Sequence, residues 1–235
     1  MWNAGWDVIF RDREWGKYPP EELVRFIARN FYSTPDRKAV KILEVGCGPG
    51  ANLWYLSREG FSVYGMDGSQ VALEKARNRL AGEGLEVQLH CGDILSLPFP
   101  SDFFDCVIDI ECLYANTAAD TRRILEAIHR VLKSGGLFFS KTFMTGTYGD
   151  GLGVRVEGER NTFSELQEGA FHKGYGVVRF TDEQDIQTLY GERFAVQSVD
   201  HLIRSDQNRG HEVREWLIVC RKQAQVQRAV MPNSP

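Results

Sequence analysis

The chain has 235 residues, a formal net charge of −4 and a sequence pI of about 5.8. This length fits one α/β domain with insertions and can bury a sizeable core. The sequence has no long Lys/Arg run for a nucleic-acid groove, and we expect no secretory signal and no membrane span. Its five cysteines are scattered without a C-x-x-C pair, which predicts mostly buried, reduced thiols in a cytoplasmic protein.

The first 38 residues combine an aromatic segment with a predicted amphipathic helix at residues 21–32. Aromatic side chains pack wherever apolar area is needed. The segment could therefore cap the sheet or cover a ligand, and the sequence leaves both interpretations open.

An apolar strand predicted at residues 39–45 runs into a glycine-rich turn and then a helix predicted at residues 51–59. This arrangement points backbone N–H groups at a ligand of nucleotide type. The spacing Gly46-x-Gly48-x-x-Ala51, with Asp67 downstream, also satisfies the loose dinucleotide fingerprint. An NAD-dependent oxidoreductase is therefore one interpretation of the turn.

Strands and helices alternate after the glycine turn, and this alternation predicts a doubly wound, mostly parallel sheet with helices on both faces. The predicted strands are residues 61–66, 85–90, 104–110 and 137–143. The predicted helices are residues 69–80 and 118–133.

A glycine-rich insertion at residues 145–179 breaks this alternation and shows no regular period, which is typical of a functional or disordered connection. A helix is predicted at residues 181–190, with Thr181 or Asp182 as its cap. Strand-like runs at residues 194–203 and 213–221 predict a C-terminal antiparallel hairpin, and residues 223–235 are predicted to be a tail.

The string Glu44-x-Gly46-x-Gly48-x-Gly50 resembles motif I of the class I S-adenosylmethionine (SAM) dependent methyltransferases. Three later stretches agree with that family, namely Val63-Tyr64-Gly65-Met66-Asp67, Cys91-Gly92-Asp93-Ile94 and Val131-Leu132-Lys133-Ser134-Gly135-Gly136. Motifs carry the resemblance over residues 39–143, and element order alone carries it to residue 222.

The resemblance implies a Rossmann-like sheet of seven strands, parallel except for the terminal hairpin. It implies one methyltransferase domain at residues 39–222 with a substrate insertion at residues 145–179. The cofactor would be SAM and the product S-adenosylhomocysteine. In such proteins an N-terminal segment often closes over the cofactor, and Tyr18 belongs to the segment that we expect there.

The resemblance also implies a cofactor site. We expect Asp67 to accept both ribose hydroxyls, Asp93 to accept from the adenine amino group, and the Ile94 N–H to meet the adenine ring. Glu44 would order the glycine turn beside the methionine end, and Asp109 or its carbonyl would meet the methionine ammonium. The remaining implied cofactor-binding residues are Gly46, Cys47, Gly48, Gly68, Ser69, Gly92 and Ile110.

Three residues are candidates for the acceptor side: Glu111, Tyr114 and His172, the last being our candidate base in the insertion. Each could instead be an ordinary loop residue. A base is needed only for a hydroxyl or a protonated amine. Enzymes that methylate nucleobases or glutamine often carry two prolines and an aromatic residue after strand four, and this chain does not. No histidine spacing indicates a metal site.

The expected function is transfer of a methyl group from SAM to an oxygen or nitrogen of a small-molecule acceptor. The oxidoreductase alternative is disfavoured by Gly50, by Gly92-Asp93 and by the terminal hairpin. A non-catalytic SAM-binding protein stays open, because cofactor binding is not turnover. We expect a monomer or homodimer without nucleic-acid or membrane partners.

Overall fold

The computed structural model describes residues 3–171 and 176–223. Its strands are β1 (Lys41–Val45), β2 (Ser62–Asp67), β3 (Gln88–Cys91), β4 (Phe104–Ile110), β5 (Leu132–Phe143), β6 (Val154–Arg155), β7 (Thr162–Ser164), β8 (Val177–Arg179), β9 (Ala195–Asp206) and β10 (His211–Arg221). Its helices are α1 (Gly5–Asp12), α2 (Glu21–Phe31), α3 (Ala51–Arg58), α4 (Gln70–Gly82), α5 (Ala118–Val131) and α6 (Glu183–Asp185), which continues as a π-helical turn over Ile186–Tyr190.

Seven strands form one sheet in the order β3-β2-β1-β4-β5-β10-β9. β1 to β5 are parallel, whereas β10 is antiparallel to both β5 and β9. This arrangement confirms the predicted doubly wound sheet with its terminal hairpin. The carboxyl ends of β1 to β5 meet at one edge, which is where ligands bind in open α/β sheets.

Both faces of the sheet are covered by apolar side chains. On one face, Phe104 and Phe138 pack with Ile128 of α5. On the other face, Phe139 stacks on Phe26 of α2 with their ring centroids 4.7 Å apart. Burial on both faces explains why the central strands are apolar nearly throughout.

The fifth strand starts earlier than the sequence indicates. The helix predicted to reach residue 133 ends at Val131, and β5 begins at Leu132 rather than at Leu137. The register shifts between Phe104 and Cys106 of β4, so the glycine pair after Ser134 forms a bulge inside the strand instead of a separating turn. Gly135 has a φ of 77°, which suits such a bulge.

The insertion is better ordered than the sequence predicts. β6, β7 and β8 form a three-stranded antiparallel sheet. Its side chains Phe163, Leu166 and Phe171 are buried in one cluster with Tyr114 and Phe143. The disordered-loop interpretation is therefore wrong for the described part. Residues 172–175, which include the candidate base His172, and residues 224–235 of the predicted tail lie outside the described residues.

The aromatic N-terminal segment contains a helix, α1, that the sequence pattern did not indicate. α1 has no side-chain N-cap, which removes the usual local signal for a helix start. It lies against α4, where Lys75 Nζ donates to the Phe10 carbonyl at 2.5 Å. Part of the N-terminal segment is therefore fixed beside the carboxyl edge of the sheet.

All five cysteines lie in the described part of the chain, and all are free thiols. Cys47, Cys106 and Cys220 are buried, whereas Cys91 is exposed and Cys112 is half-buried. Within residues 3–171 and 176–223, no helix is both long and apolar enough to cross a membrane.

Candidate active site

A cavity of about 480 Å³ lies at the carboxyl edge of the sheet. Its floor comes from the turns after β1, β2, β3 and β4, and its far wall comes from the end of β5 and the insertion. The N-terminal segment roofs it with Trp6, Phe10, Trp15 and Tyr18. This volume is typical of a small-molecule site.

At Gly46 and Gly48 of the glycine turn, the backbone itself lines the cavity, because these residues have no side chain. Gly46 and Gly48 have φ values of 68° and 49°, a region that favours glycine. A Cβ atom on Gly46 would lie 2.2 Å from the Cys112 Sγ, and one on Gly48 would lie 3.5 Å from the Phe10 ring. Any side chain at Gly46 would therefore displace the turn after β4, so this position must stay bare.

Asp67 ends β2 at the cavity wall and is 5% exposed. Its Oδ2 accepts the Gly48 N–H and its Oδ1 accepts the Ser69 N–H, both at 2.8 Å. Burial raises the pKa of this carboxyl, although the two backbone donors oppose the shift. Each oxygen has a further lone pair, so Asp67 can hold the turn and still accept from a ligand.

Glu44 lies beneath the glycine turn, is 2% exposed and lines the cavity. Its Oε1 accepts from Asn52 Nδ2 at 2.6 Å, while its Oε2 has no hydrogen-bond partner among the described residues. Burial raises the pKa of Glu44 to about 8. A buried, unpaired carboxyl oxygen is costly, so a ligand in the cavity that donates a hydrogen bond or carries positive charge would be favoured beside Glu44.

The turn after β3 supplies Gly92, Asp93 and Ile94 to the same cavity. Asp93 Oδ1 accepts the Leu95 N–H at 3.0 Å, which fixes the turn. The other predicted cofactor residues that line the cavity are Tyr18, Gly46, Cys47, Gly48, Gly68 and Ile110. Tyr18 lies at the rim and is 71% exposed, and its ring meets that of Trp54 edge-on with the centroids 5.5 Å apart.

Two residues predicted to bind the cofactor face away from the cavity. Asp109 is fully buried, and its carboxylate accepts from the N–H groups of Cys112 and Leu113 and from Ser140 Oγ. Ser69 is also fully buried and caps α4 by accepting the Ala72 N–H. Neither side chain lines the cavity. Both side chains therefore support neighbouring turns, and the cofactor contacts of Ser69 and of Asp109 or its carbonyl stay predictions.

We call the part of the cavity that carries Glu111 and Tyr114 the acceptor end, after the role predicted for these two residues. It contains a charged cluster that the sequence indicated only in part. Lys141 Nζ lies 3.1 Å from Glu111 Oε1 and 3.2 Å from Glu215 Oε1. Glu111 was a candidate, but Lys141 and Glu215 were missed, because the contact depends on the register of β10 against β5. Lys141 is the single charge in the apolar run at residues 137–143, which is a signal that could have identified it, whereas Glu215 lies among other charged residues of β10 and gives no such signal.

Tyr114 and aromatic neighbours form the rest of this end. Tyr114 is 4% exposed, and its ring centroid is 4.8 Å from that of Phe143. Burial raises the pKa of Tyr114 above its usual range, so the phenol is a neutral hydrogen-bonding group and not a base. Among the residues of known placement, no cluster of His, Cys, Asp or Glu could hold a metal ion.

Comparison with known proteins agrees with this geometry. A family model described as a methyltransferase domain matches residues 42–136. A fatty-acid O-methyltransferase of Mycolicibacterium smegmatis is 33% identical over 146 residues, which are 56% of this chain and 52% of that protein. A sterol 24-C-methyltransferase of Pneumocystis carinii is 29% identical over 147 residues, which are 60% of this chain and 38% of that protein.

The fold also occurs in solved structures. A SAM-dependent methyltransferase from Methanosarcina mazei superposes with a TM-score of 0.66 at 20% identity, covering 79% of this chain and 93% of that one. At this identity the likeness concerns the fold. The chain spans about half or less of the length of the curated relatives it matches.

Proposed function

The chain belongs to the class I SAM-dependent methyltransferase family, and we propose that it transfers a methyl group from SAM to an oxygen or nitrogen of a small-molecule acceptor. The observation that carries the proposal is the shared cavity, which is lined by the glycine turn and also by Glu111 and Tyr114. Methyl transfer needs donor and acceptor aligned in one enclosed space, and alignment supplies much of the rate enhancement.

The residues of this chain fit the cofactor. The unpaired Glu44 Oε2 would accept from the methionine ammonium, and Asp67 would accept from the ribose hydroxyls. Asp93 and the Ile94 N–H would hold the adenine. When bound, SAM supplies a methyl group on a sulfonium, which is already an activated leaving group.

The acceptor end favours a compact substrate with an exchangeable proton. Phe143, Phe171 and Trp6 enclose it with apolar surface, while Glu111 and Tyr114 supply polar groups. The names of the relatives include both an oxygen acceptor and a carbon acceptor, so they do not fix the acceptor atom. Our preference for oxygen or nitrogen comes from Glu111, whose carboxylate can receive a proton from such a group, and from the Tyr114 hydroxyl, which can hydrogen-bond to it.

The proposal is tested in two steps. Calorimetry should show binding of SAM and S-adenosylhomocysteine with little affinity for NAD. Labelled SAM should then transfer its methyl group to a member of a panel of phenols, alcohols and amines. Tight binding of NAD without SAM binding would contradict the assignment. SAM binding without transfer to any acceptor would favour a non-catalytic SAM-binding protein.

A further inference from the structure

We propose that the acceptor end of the cavity binds a cationic amine, with Glu111 as the residue that contacts the ammonium group. Lys141 and Glu215 are the residues that position Glu111. This inference rests on the proposed methyl transfer and names the chemical class of its acceptor.

The charged cluster exposes one carboxylate, that of Glu111, more than its other members. Lys141 is bracketed by two carboxylates, at 3.1 Å from Glu111 and 3.2 Å from Glu215. The side chain of Glu111 is 36% exposed, whereas those of Lys141 and Glu215 are 9% and 1% exposed. Glu111 and Lys141 both line the cavity, and the Glu111 carboxylate is the more accessible of the two to a ligand.

This order of charges disfavours an anionic acceptor. A carboxylate that approached Lys141 from the cavity would also approach Glu111, and the repulsion would cancel much of the attraction. An ammonium group meets the opposite situation, because it gains a direct partner in Glu111 without displacing Lys141.

The backbone holds Glu111 at the cavity wall. Its φ is 56°, which is uncommon for a residue with a side chain and is found in strained functional segments. The Glu111 N–H donates to the Lys141 carbonyl at 2.9 Å, so pairing of β4 with β5 continues one residue beyond Ile110. On the other side of the turn, the Asp109 carboxylate holds the Cys112 N–H at 2.9 Å. The turn is thereby fixed on both sides of the carboxylate.

Aromatic rings surround the position that the amine would occupy. Tyr114 and Phe143 have centroids 4.8 Å apart, and Phe143 and Phe171 have centroids 6.1 Å apart. Trp6 closes the same end from the N-terminal segment. Ring faces attract cations, and their apolar area can bury the body of an aromatic or aliphatic amine.

The charge of the cluster depends on pH through Glu215. Burial, followed by the neighbouring Glu111 carboxyl, raises the pKa of Glu215 to about 7. Burial also opposes ionisation of Glu111, but the Lys141 ammonium, a hydrogen bond from Glu215 and the Arg204 charge together lower the pKa of that carboxyl. By their register with β10, Arg204 and Asp200 of β9 lie on the same face of the sheet as Glu215, and Glu44 of β1 lies on that face farther along the sheet. An ammonium beside Glu111 therefore favours the ionised form of Glu215.

The same arrangement accounts for the proton that the reaction must remove. An ammonium acceptor has no lone pair until it loses one proton, which Glu111 receives. Glu215, across Lys141, is the carboxyl with the higher pKa of the two and holds the proton afterwards. The amine nitrogen then forms a bond to the methyl carbon as the carbon–sulfur bond breaks, and that electron pair returns to sulfur.

Calorimetry with three probes of similar shape tests the proposal on the full chain saturated with S-adenosylhomocysteine. At about pH 8, benzylammonium should bind at least about tenfold more tightly than benzoate, with benzyl alcohol between them. The Glu111→Gln variant should lose this preference. Glu212→Gln is the control, because Glu212 lies on β10 but is exposed and pairs with Arg214.

Proton release gives a second readout that a merely structural cluster would not show. At about pH 7, binding of benzylammonium should release protons, as measured in buffers of different ionisation enthalpy, and Glu215→Gln should abolish the release. If Glu215→Gln does not fold, Glu111→Gln still decides the charge preference.

Equal or tighter binding of benzoate, or no binding of benzylammonium, would overturn the inference. Failure of S-adenosylhomocysteine itself to bind would instead count against the proposed function, and the two results are measured in separate titrations.

Discussion

Asp67 Oδ2 accepts the backbone N–H of Gly48 at 2.8 Å, so the carboxylate that ends β2 also fixes the turn that follows β1. The other oxygen of Asp67 fixes the start of α4 through the Ser69 N–H. One side chain therefore couples three elements around the cavity, and its loss should affect ligand binding and local structure together.

Replacing Asp67 by alanine should lower SAM affinity by at least about tenfold, since hydrogen bonds to a charged group contribute about 1.5–3 kcal/mol each. The fold should survive, because the sheet keeps its core. Calorimetry measures the affinity and circular dichroism the fold. Asp36→Ala is the control, since Asp36 accepts the Lys38 N–H in an exposed turn. Unchanged affinity would mean that the ribose is held elsewhere.

Glu44 should make stability depend on pH. The pKa of Glu44 is raised from 4.5 to about 8, so between these values the unfolded chain loses a proton that the folded protein keeps. Stability contributed by this group therefore falls as pH rises from 4.5 to about 8 and is constant above it.

The Glu44→Gln variant has no such titration. Its stability relative to wild type should be at least about 1 kcal/mol higher at about pH 8 than at about pH 5 in urea unfolding. Glu74→Gln, an exposed change on α4, should show no such trend. A difference between wild type and Glu44→Gln that does not vary with pH would show that Glu44 is ionised in the folded protein.

Phe10 should control how long the cofactor stays bound. It is 5% exposed, lies against Gly48, and has ring centroids 5.8 Å from Trp6 and 4.9 Å from Trp15. Phe10→Ala should loosen α1 and speed SAM dissociation several-fold, as stopped-flow fluorescence would measure. Val8→Ala, on an exposed position of the same helix, is the matched control. Equal dissociation rates in both variants would argue against a lid role for α1.

Gly169 should be sensitive to a single added methyl group. A Cβ atom there would lie 2.2 Å from the Phe171 ring, at a φ of 150°. Gly169→Ala should therefore cost about 2–4 kcal/mol from backbone strain and overpacking together. Gly158 has a φ of 75° with open space around it, so Gly158→Ala should cost only about 1 kcal/mol. Similar urea midpoints for both variants would mean that Phe171 is not held in place.

Local chemistry allowed much of the cofactor end to be predicted from the sequence. Gly46 and Gly48 have positive φ values, which favour glycine whatever residues surround the turn. Both line the cavity as expected. Asp109 was harder to interpret, because a strand-ending carboxylate can face a ligand or cap the next turn. Its three protein donors show that here it caps the turn.

The acceptor end could not be predicted in the same way. Lys141 and Glu215 meet only because β10 pairs with β5 in one register, and no local pattern encodes that pairing. The short strands of the insertion were missed for a related reason. Its strands are two or three residues long, too short for a period, and they depend on burial of Phe163 and Phe171 against the main sheet.

The place of β10 between β5 and β9 also constrains how the protein is made on the ribosome. β5 cannot gain its second neighbour until the nascent chain has emerged as far as Arg221. Until then β5 presents an open strand edge, with Lys141 lacking the partner that Glu215 supplies. An unpaired edge favours association with other chains. During synthesis, the sheet is therefore most exposed to misassembly after β5 has emerged and before β10 has emerged. The charge on Lys141 helps to keep the open edge of β5 from pairing with other chains.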